Sequence, residues 1–210
     1  MHRRRLALLV PALAGLALLP GCLKRSKIAE TYVLDPVAAR GAALPDETPA
    51  SVVGVLKVTV PGWLERPQVA ARGADGLLVA NEYARWGEPF PRGVQRVLTE
   101  NLAALLPDRR VVAAPFAPSL PVGHRVDVTV TEAARQLDGT VLVEARWAVL
   151  GPKGETLRQR RSSHRASPAA GAAGTVAGTS EALAGLSREI AEVVRGLPLP
   201  NAAEKAAERE

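Results

Sequence analysis

Alternating apolar and polar residues mark the strands of this chain. Valine occupies positions 126, 128 and 130, with Asp127, Thr129 and Thr131 between them, so one strand face is buried and the other is wet. Residues 141–149 alternate in the same way after Asp138-Gly139, a favoured hairpin turn. The pattern therefore predicts that these two strands pair antiparallel.

Further strands follow from composition and turn signals. A valine-rich strand is predicted over residues 52–60, closed by Pro61-Gly62. Residues 69–72 and 77–79 flank a glycine-containing turn and predict a small hairpin. Residues 156–164 are polar on both faces, which is typical of an edge strand.

Apolar residues at helical spacing predict two helices. The first begins near Glu88-Pro89-Phe90-Pro91 and ends at Leu106, before Pro107, with Asn101 on the edge of its stripe. The second has Ser180 as a cap and is closed by Gly196 and Pro198. Residues 166–178, rich in Ala, Gly, Ser and Pro, are predicted to form a mobile loop. The stripes are Val94, Val97, Leu98, Leu102, Leu105 and Leu106 in the first helix, and Leu183, Leu186, Ile190, Val193, Val194 and Leu197 in the second.

The order of these elements predicts the fold class. A short strand over residues 111–114 follows the first helix, and a strand, helix and strand in succession form a parallel pair. Residues 30–34, with Tyr32 and Leu34 on one face, add an edge strand. We expect one α/β domain with a mixed sheet of about five or six strands and two main helices.

The amino terminus predicts export and lipid attachment. Residues 6–19 are uncharged and follow three arginines. This run is shorter than the ~20 residues that a helix needs to cross a bilayer, so it is typical of a signal peptide that is cleaved off. Leu19-Pro20-Gly21-Cys22 resembles the bacterial lipobox, in which the thiol takes a diacylglycerol and, after cleavage, the new amino group is acylated. Two or more acyl chains make membrane attachment stable. The alternative is a buried cysteine at the end of a plain signal.

These features divide the chain into four parts. Residues 1–21 are the lipoprotein signal peptide, and residues 22–50 are a lipidated tether with the edge strand in it. Residues 51–197 form the domain, and residues 198–210 are expected to be a disordered tail. Leu23 after the cysteine, where Asp would resemble an inner-membrane retention signal, favours the periplasmic face of the outer membrane.

The charge balance argues against nucleic acid. The formal net charge is +6, but removal of the three leader arginines leaves 24 basic against 21 acidic residues. An exported chain with mixed charges has no basic footprint for nucleic acid. Aromatic residues make up only 3%, so the core is expected to consist of Val, Leu and Ala, with Trp63, Trp86 and Trp147 as its large pieces.

No catalytic or cofactor motif is evident. His124 and His164 have no partners at metal-ligand spacing, so we expect no metal site. Ser119, His124 and Asp127 have the residue types of a triad but no nucleophile elbow, and are interpreted as loop polar groups. No phosphate loop or dinucleotide fingerprint occurs, so no cofactor and no enzymatic activity are expected.

The densest basic cluster lies on the predicted edge strand. Arg158, Arg160 and His164 would share one strand face, with Arg161 and Arg165 on the other. One interpretation is an edge that charge protects from aggregation. The other is a surface for lipid phosphates or for an acidic partner protein.

An ordered set of motifs points to a family. The segment over residues 58–69, with Pro61-Gly62-Trp63-Leu64 and Arg66-Pro67-Gln68, is its centre. Tyr32-Val33-Leu34, residues 83–89, Leu98 with Asn101-Leu102, and Ala145-Arg146-Trp147 accompany it, as does the carboxyl-terminal helix. Behind a lipobox this set resembles the PqiC/YmbA family, the auxiliary lipoproteins of ABC-type and MCE-protein lipid transport systems. Gly87 stands where the family pattern has Ala.

The resemblance implies both a fold and a role. The fold is a mixed sheet flanked by helices, similar to the amino-terminal domain of TolB. The role is non-catalytic: the lipoprotein receives the distal end of an MCE-protein tunnel at the outer membrane, in a complex with an inner-membrane permease, and helps phospholipids pass. The oligomeric state is left open, with a homo-oligomer as one alternative.

Two other functions remain as alternatives. One is a pilot or assembly lipoprotein for an outer-membrane secretion or lipopolysaccharide machine. The other is an enzyme, which would require Ser119, His124 and Asp127 to meet in a polar pocket.

Overall fold

The computed structural model describes residues 28–39 and 51–198. Their strands form one eight-stranded sheet, and two long helices pack on the same face of it. The strands are β1 (Glu30–Tyr32), β2 (Ser51–Val55), β3 (Gln68–Arg72), β4 (Leu78–Trp86), β5 (Arg109–Ala113), β6 (Val122–Arg135), β7 (Val141–Leu150) and β8 (Thr156–Ala166). The helices are α1 (Phe90–Leu105) and α2 (Gly171–Arg195).

The long strand β6 connects the two parts of the sheet. One edge of β6 pairs antiparallel with β7, which in turn pairs with β8. The other edge pairs parallel with β2 near its start and with β3 at Ala71↔Arg135, near its end. Parallel β5 continues the sheet beyond β2, and β4 with the short parallel β1 continues it beyond β3.

The core lies between the sheet and the helices. On β6, Val126, Val128 and Val130 are fully buried, whereas Asp127 between them is exposed, as the alternation predicted. Trp147 is buried on β7, and its indole nitrogen donates to Ser162 Oγ at 2.8 Å. Trp63 and Trp86 are partly buried and pack against this core. The aromatic side chains therefore fill the space between a sheet and helices built mostly from Val, Leu and Ala.

The structure confirms the predicted fold class, a mixed sheet with two helices in one domain. Eight strands are present rather than the expected five or six, and each of them, including short β1 and β5, corresponds to a segment whose pattern indicated a strand. The antiparallel β6–β7 pair, the parallel β2–β5 pair and the edge position of β8 in the described sheet agree with the sequence patterns.

Strand β2 is shorter than predicted. The expected strand over residues 52–60 stops at Val55, and a single bridge joins Thr59 to Thr129. The chain still follows β6, because the amides of Leu56 and Thr59 donate to the carbonyls of Val126 and Val128 at 2.9 and 3.1 Å. The backbone therefore keeps its hydrogen bonds after the regular ladder has ended.

The prediction of a mobile loop over residues 166–178 is wrong. Helix α2 begins at Gly171, and Ser180, the predicted cap, lies well inside the helix. Gly178 packs directly over Val141, where an added Cβ would lie 2.9 Å from the valine Cγ2. Glycine at this position thus allows the helix to lie close on the sheet, and this tertiary contact outweighs the low helix propensity of the glycines in residues 171–178.

Several predictions concern residues outside the described part of the chain. The signal peptide (1–21), most of the tether (22–27 and 40–50) and the tail after residue 198 belong to this group. Within residues 28–39 and 51–198, neither helix combines the length and apolar character that a membrane span needs.

We expect Gly178→Val to lower the free energy of unfolding by about 1–3 kcal/mol, because the new side chain would collide with Val141 and Pro168. The neighbouring exposed position supplies a control: Ala177→Val should cost only about 0.5 kcal/mol, the difference in helix propensity. Urea unfolding of both variants measures the difference, and equal effects at the two positions would contradict close packing of this helix.

Candidate functional site

Residues 34–38, in the middle of the predicted tether, are built into the helix layer. Leu34 is almost fully buried in the core, and its carbonyl accepts a hydrogen bond from Arg96 of α1 at 2.8 Å. The amide of Asp35 donates to Ser180 Oγ of α2 at 3.0 Å, and the amide of Ala38 donates to Asn101 Oδ1 at 3.0 Å. We call Arg96, Asn101 and Ser180 the tether clasp.

Asn101 joins three elements. Its side-chain nitrogen donates to Ser187 Oγ of α2 at 3.1 Å while its oxygen holds the tether, and the residue is completely buried. Ser187 in turn donates to the carbonyl of Leu183. Buried side-chain amides are generally fully hydrogen-bonded. The signal for this contact in the sequence was therefore Asn101 itself, a polar residue at the edge of an apolar helical stripe.

Arg96 is held in place by carboxylates. Its guanidinium contacts Glu88 at 2.8 Å and Glu100 at 3.3 Å, and both contacts raise the pKa of Arg96 against the opposing effect of burial, which is the largest single cause. The arginine is therefore charged when it donates to the Leu34 carbonyl.

The basic residues of β8 lie on two faces, as alternation requires. Arg160 stands opposite Trp147, and His164 opposite Val143, so both lie on the helix-covered face. Arg158 shares that face opposite Val149. Arg161 and Arg165 face the other way and pair with Glu144 at 3.4 Å and Asp138 at 3.9 Å.

Glu189 of α2 partly neutralises the first group. Its two carboxylate oxygens lie 3.6 Å from Arg160 Nη1 and 3.2 Å from His164 Nε2. Arg158 instead donates to the carbonyl of Leu157. Arg158 also lines a cavity of about 250 Å³ at the carboxyl-terminal end of α2, together with Arg160, Glu192, Val193, Gly196 and Leu197.

The β8 surface therefore differs from the sequence-based interpretation in one respect. His164 and Arg160 share a carboxylate within the fold, so they also hold α2 to the edge strand. Arg158 has no carboxylate within salt-bridge distance among the described residues. Of the three predicted contact residues, Arg158 is thus the one whose charge is most available to a partner.

Ser119, His124 and Asp127 do not form a triad. Ser119 lies exposed in a loop and Asp127 is exposed on β6, whereas His124 is buried. Arg109 is a charged neighbour of His124, with its Nη1 3.5 Å from His124 Nδ1. Burial lowers the pKa of His124, the Arg109 charge lowers it further, and Glu155 opposes the shift.

The described residues contain no group of three His, Cys, Asp or Glu side chains that could hold a metal ion. Cys22 and the lipobox residues Leu19, Pro20 and Gly21 lie outside the described residues.

A mixed eight-stranded sheet with two long helices on one face defines a small α/β domain. The chain belongs to the family described as ABC-type transport auxiliary lipoprotein component, which matches residues 32–191. The described tether clasp and β8 lie inside this match.

Curated relatives agree with this family. The chain is 27% identical over 141 residues to the "intermembrane transport lipoprotein PqiC" of Escherichia coli K12, covering 67% of this chain and 73% of the relative. The protein of the same name from Shigella flexneri gives the same values.

Solved structures show the same fold. An uncharacterized protein matches with a TM-score of 0.66 and 21% identity, covering 80% of this chain and 99% of its own. A Xanthomonas campestris protein of family DUF330 matches with a TM-score of 0.63 and 13% identity, covering 85% and 99%. The likeness to the amino-terminal domain of TolB stays a prediction.

The clasp generates a stability prediction. We expect Asn101→Leu to lower the free energy of unfolding by about 1–3 kcal/mol, because it removes the hydrogen bond to Ser187 and leaves the Ala38 amide without its acceptor. Hydrogen exchange at the Ala38 amide should accelerate. In Ser187→Ala the Ala38 contact is kept, so protection of that amide should persist; equal exchange in the two variants would argue against the clasp.

The His124 environment generates a pH prediction. Because the folded state lowers the pKa of His124, the unfolded chain binds the proton first as pH falls through about 6.5, and the folded state loses stability below that pH. His124→Gln should flatten this dependence below about pH 6.5 while leaving the slope above about pH 7 unchanged. Urea unfolding across the pH range tests it, and an unaltered slope would contradict the assignment.

Proposed function

We propose that this protein is a non-catalytic, lipid-anchored subunit of an envelope lipid-transport system. Diacylglycerol on Cys22 attaches it to the periplasmic face of the outer membrane. There it receives an MCE-domain tunnel protein whose inner-membrane end meets a permease, and it helps phospholipids pass. The description of the family and the name of the Escherichia coli relative, an intermembrane transport lipoprotein, support this role.

The tether clasp is the observation that carries the proposal. Twelve residue steps separate Cys22 from Leu34, and Leu34 is already core. Hydrogen bonds from Arg96 and to Asn101 and Ser180 connect the tether backbone at residues 34–38 to both helices. A lipid on Cys22 would therefore hold the whole folded domain at the membrane, because Leu34, only twelve residues later, already belongs to the core of the domain.

The free edge of β8 supplies a surface for a partner. In the described sheet β8 pairs only with β7, which leaves one side of an eleven-residue strand open. Arg158, with Arg160 and His164 beside it, gives this edge a positive charge that an acidic partner or lipid phosphates would complement. These three residues are the proposed contacts.

The absence of catalysis is part of the proposal. His124 is buried whereas Ser119 and Asp127 are exposed, and His124 Nδ1 lies 3.5 Å from the Arg109 guanidinium. A general base must lie within hydrogen-bond reach of the group that it deprotonates, so this arrangement supports a non-catalytic role.

We expect Cys22→Ser to abolish membrane attachment and envelope-barrier function together, because the thiol is the site of the lipid. Envelope fractionation with a detergent-sensitivity assay measures both. Arg158→Gln serves as the control for fractionation, since it removes a surface charge and leaves the anchor intact. Full barrier function in an unanchored Cys22→Ser protein would contradict the proposal.

Partner identity is tested separately. Affinity purification of the lipidated protein from detergent-solubilised envelopes should recover an MCE-domain protein and a permease, and Arg158→Glu should reduce that recovery. Recovery of a secretion or lipopolysaccharide-assembly protein in their place would overturn the transport assignment.

A further inference from the structure

Large apolar side chains are exposed at a few places on the described surface. Ile28 is 90% exposed, Leu137 73% and Leu77 60%, and Val33, Val79 and Tyr83 are each about half exposed. Single exposed apolar residues are common on soluble domains, but groups of them mark contact surfaces. Their position in the sheet therefore decides whether they have a common role.

The topology brings three of them to one end of the sheet. Arg72, the last residue of β3, pairs with Leu78, the first of β4, so Leu77 lies at this end. Ala71 pairs with Arg135 near the end of β6, which places the following hairpin and its Leu137 at the same end. Val79 lies one residue beyond Leu78 on β4. We call Leu77, Val79 and Leu137 the apolar end.

A cavity extends this surface beneath the start of α2. It has a volume of about 210 Å³ and lies between the β3–β4 hairpin and the first turn of the helix. Val69, Ala71, Val79 and Ala172 are among its apolar lining residues. The apolar end is thus a broader surface than the tips of two turns.

The chain enters the domain from this direction. Strand β1 runs parallel to β4 with Glu30 opposite Ala84, so the residues before Glu30 extend back alongside β4 toward its beginning. Exposed Ile28 lies on that path. Only six residue steps separate Ile28 from Cys22, and a fully extended chain of that length spans roughly 20 Å. The anchor therefore stays within a short distance of the apolar end.

We propose that the apolar end faces the bilayer that holds the anchor, with Leu77 and Leu137 entering the headgroup region. This inference rests on lipid attachment at Cys22, as set out under Proposed function. The tether length favours a membrane over a protein as the occupant, because it confines this end of the domain near the lipid surface. Leucines on turns, beside charges of both signs such as Asp75, Asp138 and Arg165, suit a largely zwitterionic interface.

The sequence provides a direct test. Cys22 is the one cysteine of the chain, so lipid attachment blocks its thiol and an introduced cysteine becomes the single site for a fluorescent label. The lipidated proteins carrying Leu77→Cys, Leu137→Cys or the control Val33→Cys are labelled with an environment-sensitive dye. They are then placed in vesicles of phosphatidylethanolamine and phosphatidylglycerol containing a spin-labelled lipid quencher.

Val33 is a matched control because it is also apolar and half exposed, but it follows Tyr32, which pairs with Trp86 at the far end of β4. We expect quenching at positions 77 and 137 to exceed that at position 33 by about threefold or more, since only the apolar end would reach the lipids. Leu77→Asp combined with Leu137→Asp should leave the anchor attached and make the β3–β4 turn more accessible to protease.

Other results would overturn the inference. Equal or absent quenching at the three positions, or the strongest quenching at position 33, would show a different orientation. Shielding of positions 77 and 137 that depends on protein concentration and not on lipid would assign the surface to a second copy of the chain. The mass of each sample shows whether the orientation or the lipid anchor has failed. Unquenched labels on a protein with modified Cys22 reject the orientation alone. An unmodified Cys22 rejects the anchor and, with it, the orientation.

Discussion

The pairing of both edges of β6 is the constraint on which the rest of the structure depends. This fourteen-residue strand pairs with β7 along one edge. Its other edge pairs with β2, Thr59 and β3 in turn. A slip of one residue would turn Val126, Val128 and Val130 away from the helices and bring Asp127 into the core. The alternation of one strand thereby fixes the buried face of the entire sheet.

The helix layer on that face does two things at once. Small residues in the first half of α2 let it approach the sheet closely, and the polar residues Ser180 and Ser187 connect it to the tether and to Asn101 of α1. These contacts therefore make residues 34–38 part of the folded domain. In the proposed lipid-anchored form, the folded domain would begin only a few residues after the anchor.

The β8 edge and the apolar end of the sheet have different surfaces. The β8 edge carries arginines, partly neutralised by Glu189, whereas the turns near the tether carry exposed leucines. Such a division separates a charged surface for a partner from an apolar one for lipid. In the proposed transport complex, the first would contact the tunnel protein while the second rests on the bilayer.

The sequence by itself determined the periods of the strands, both helical stripes, the hairpin at Asp138-Gly139 and the family resemblance, because these depend on residues close together in the chain. It did not determine that residues 171–178 are helical, since the close packing of Gly178 on Val141 of distant β7 is a tertiary contact. The partition of Arg158, Arg160 and His164 around Glu189 also required α2 to be in place. Tertiary structure alone brought Asn101, Ser187 and Ala38 together, because a buried amide takes its partners from whatever the packed elements present to it.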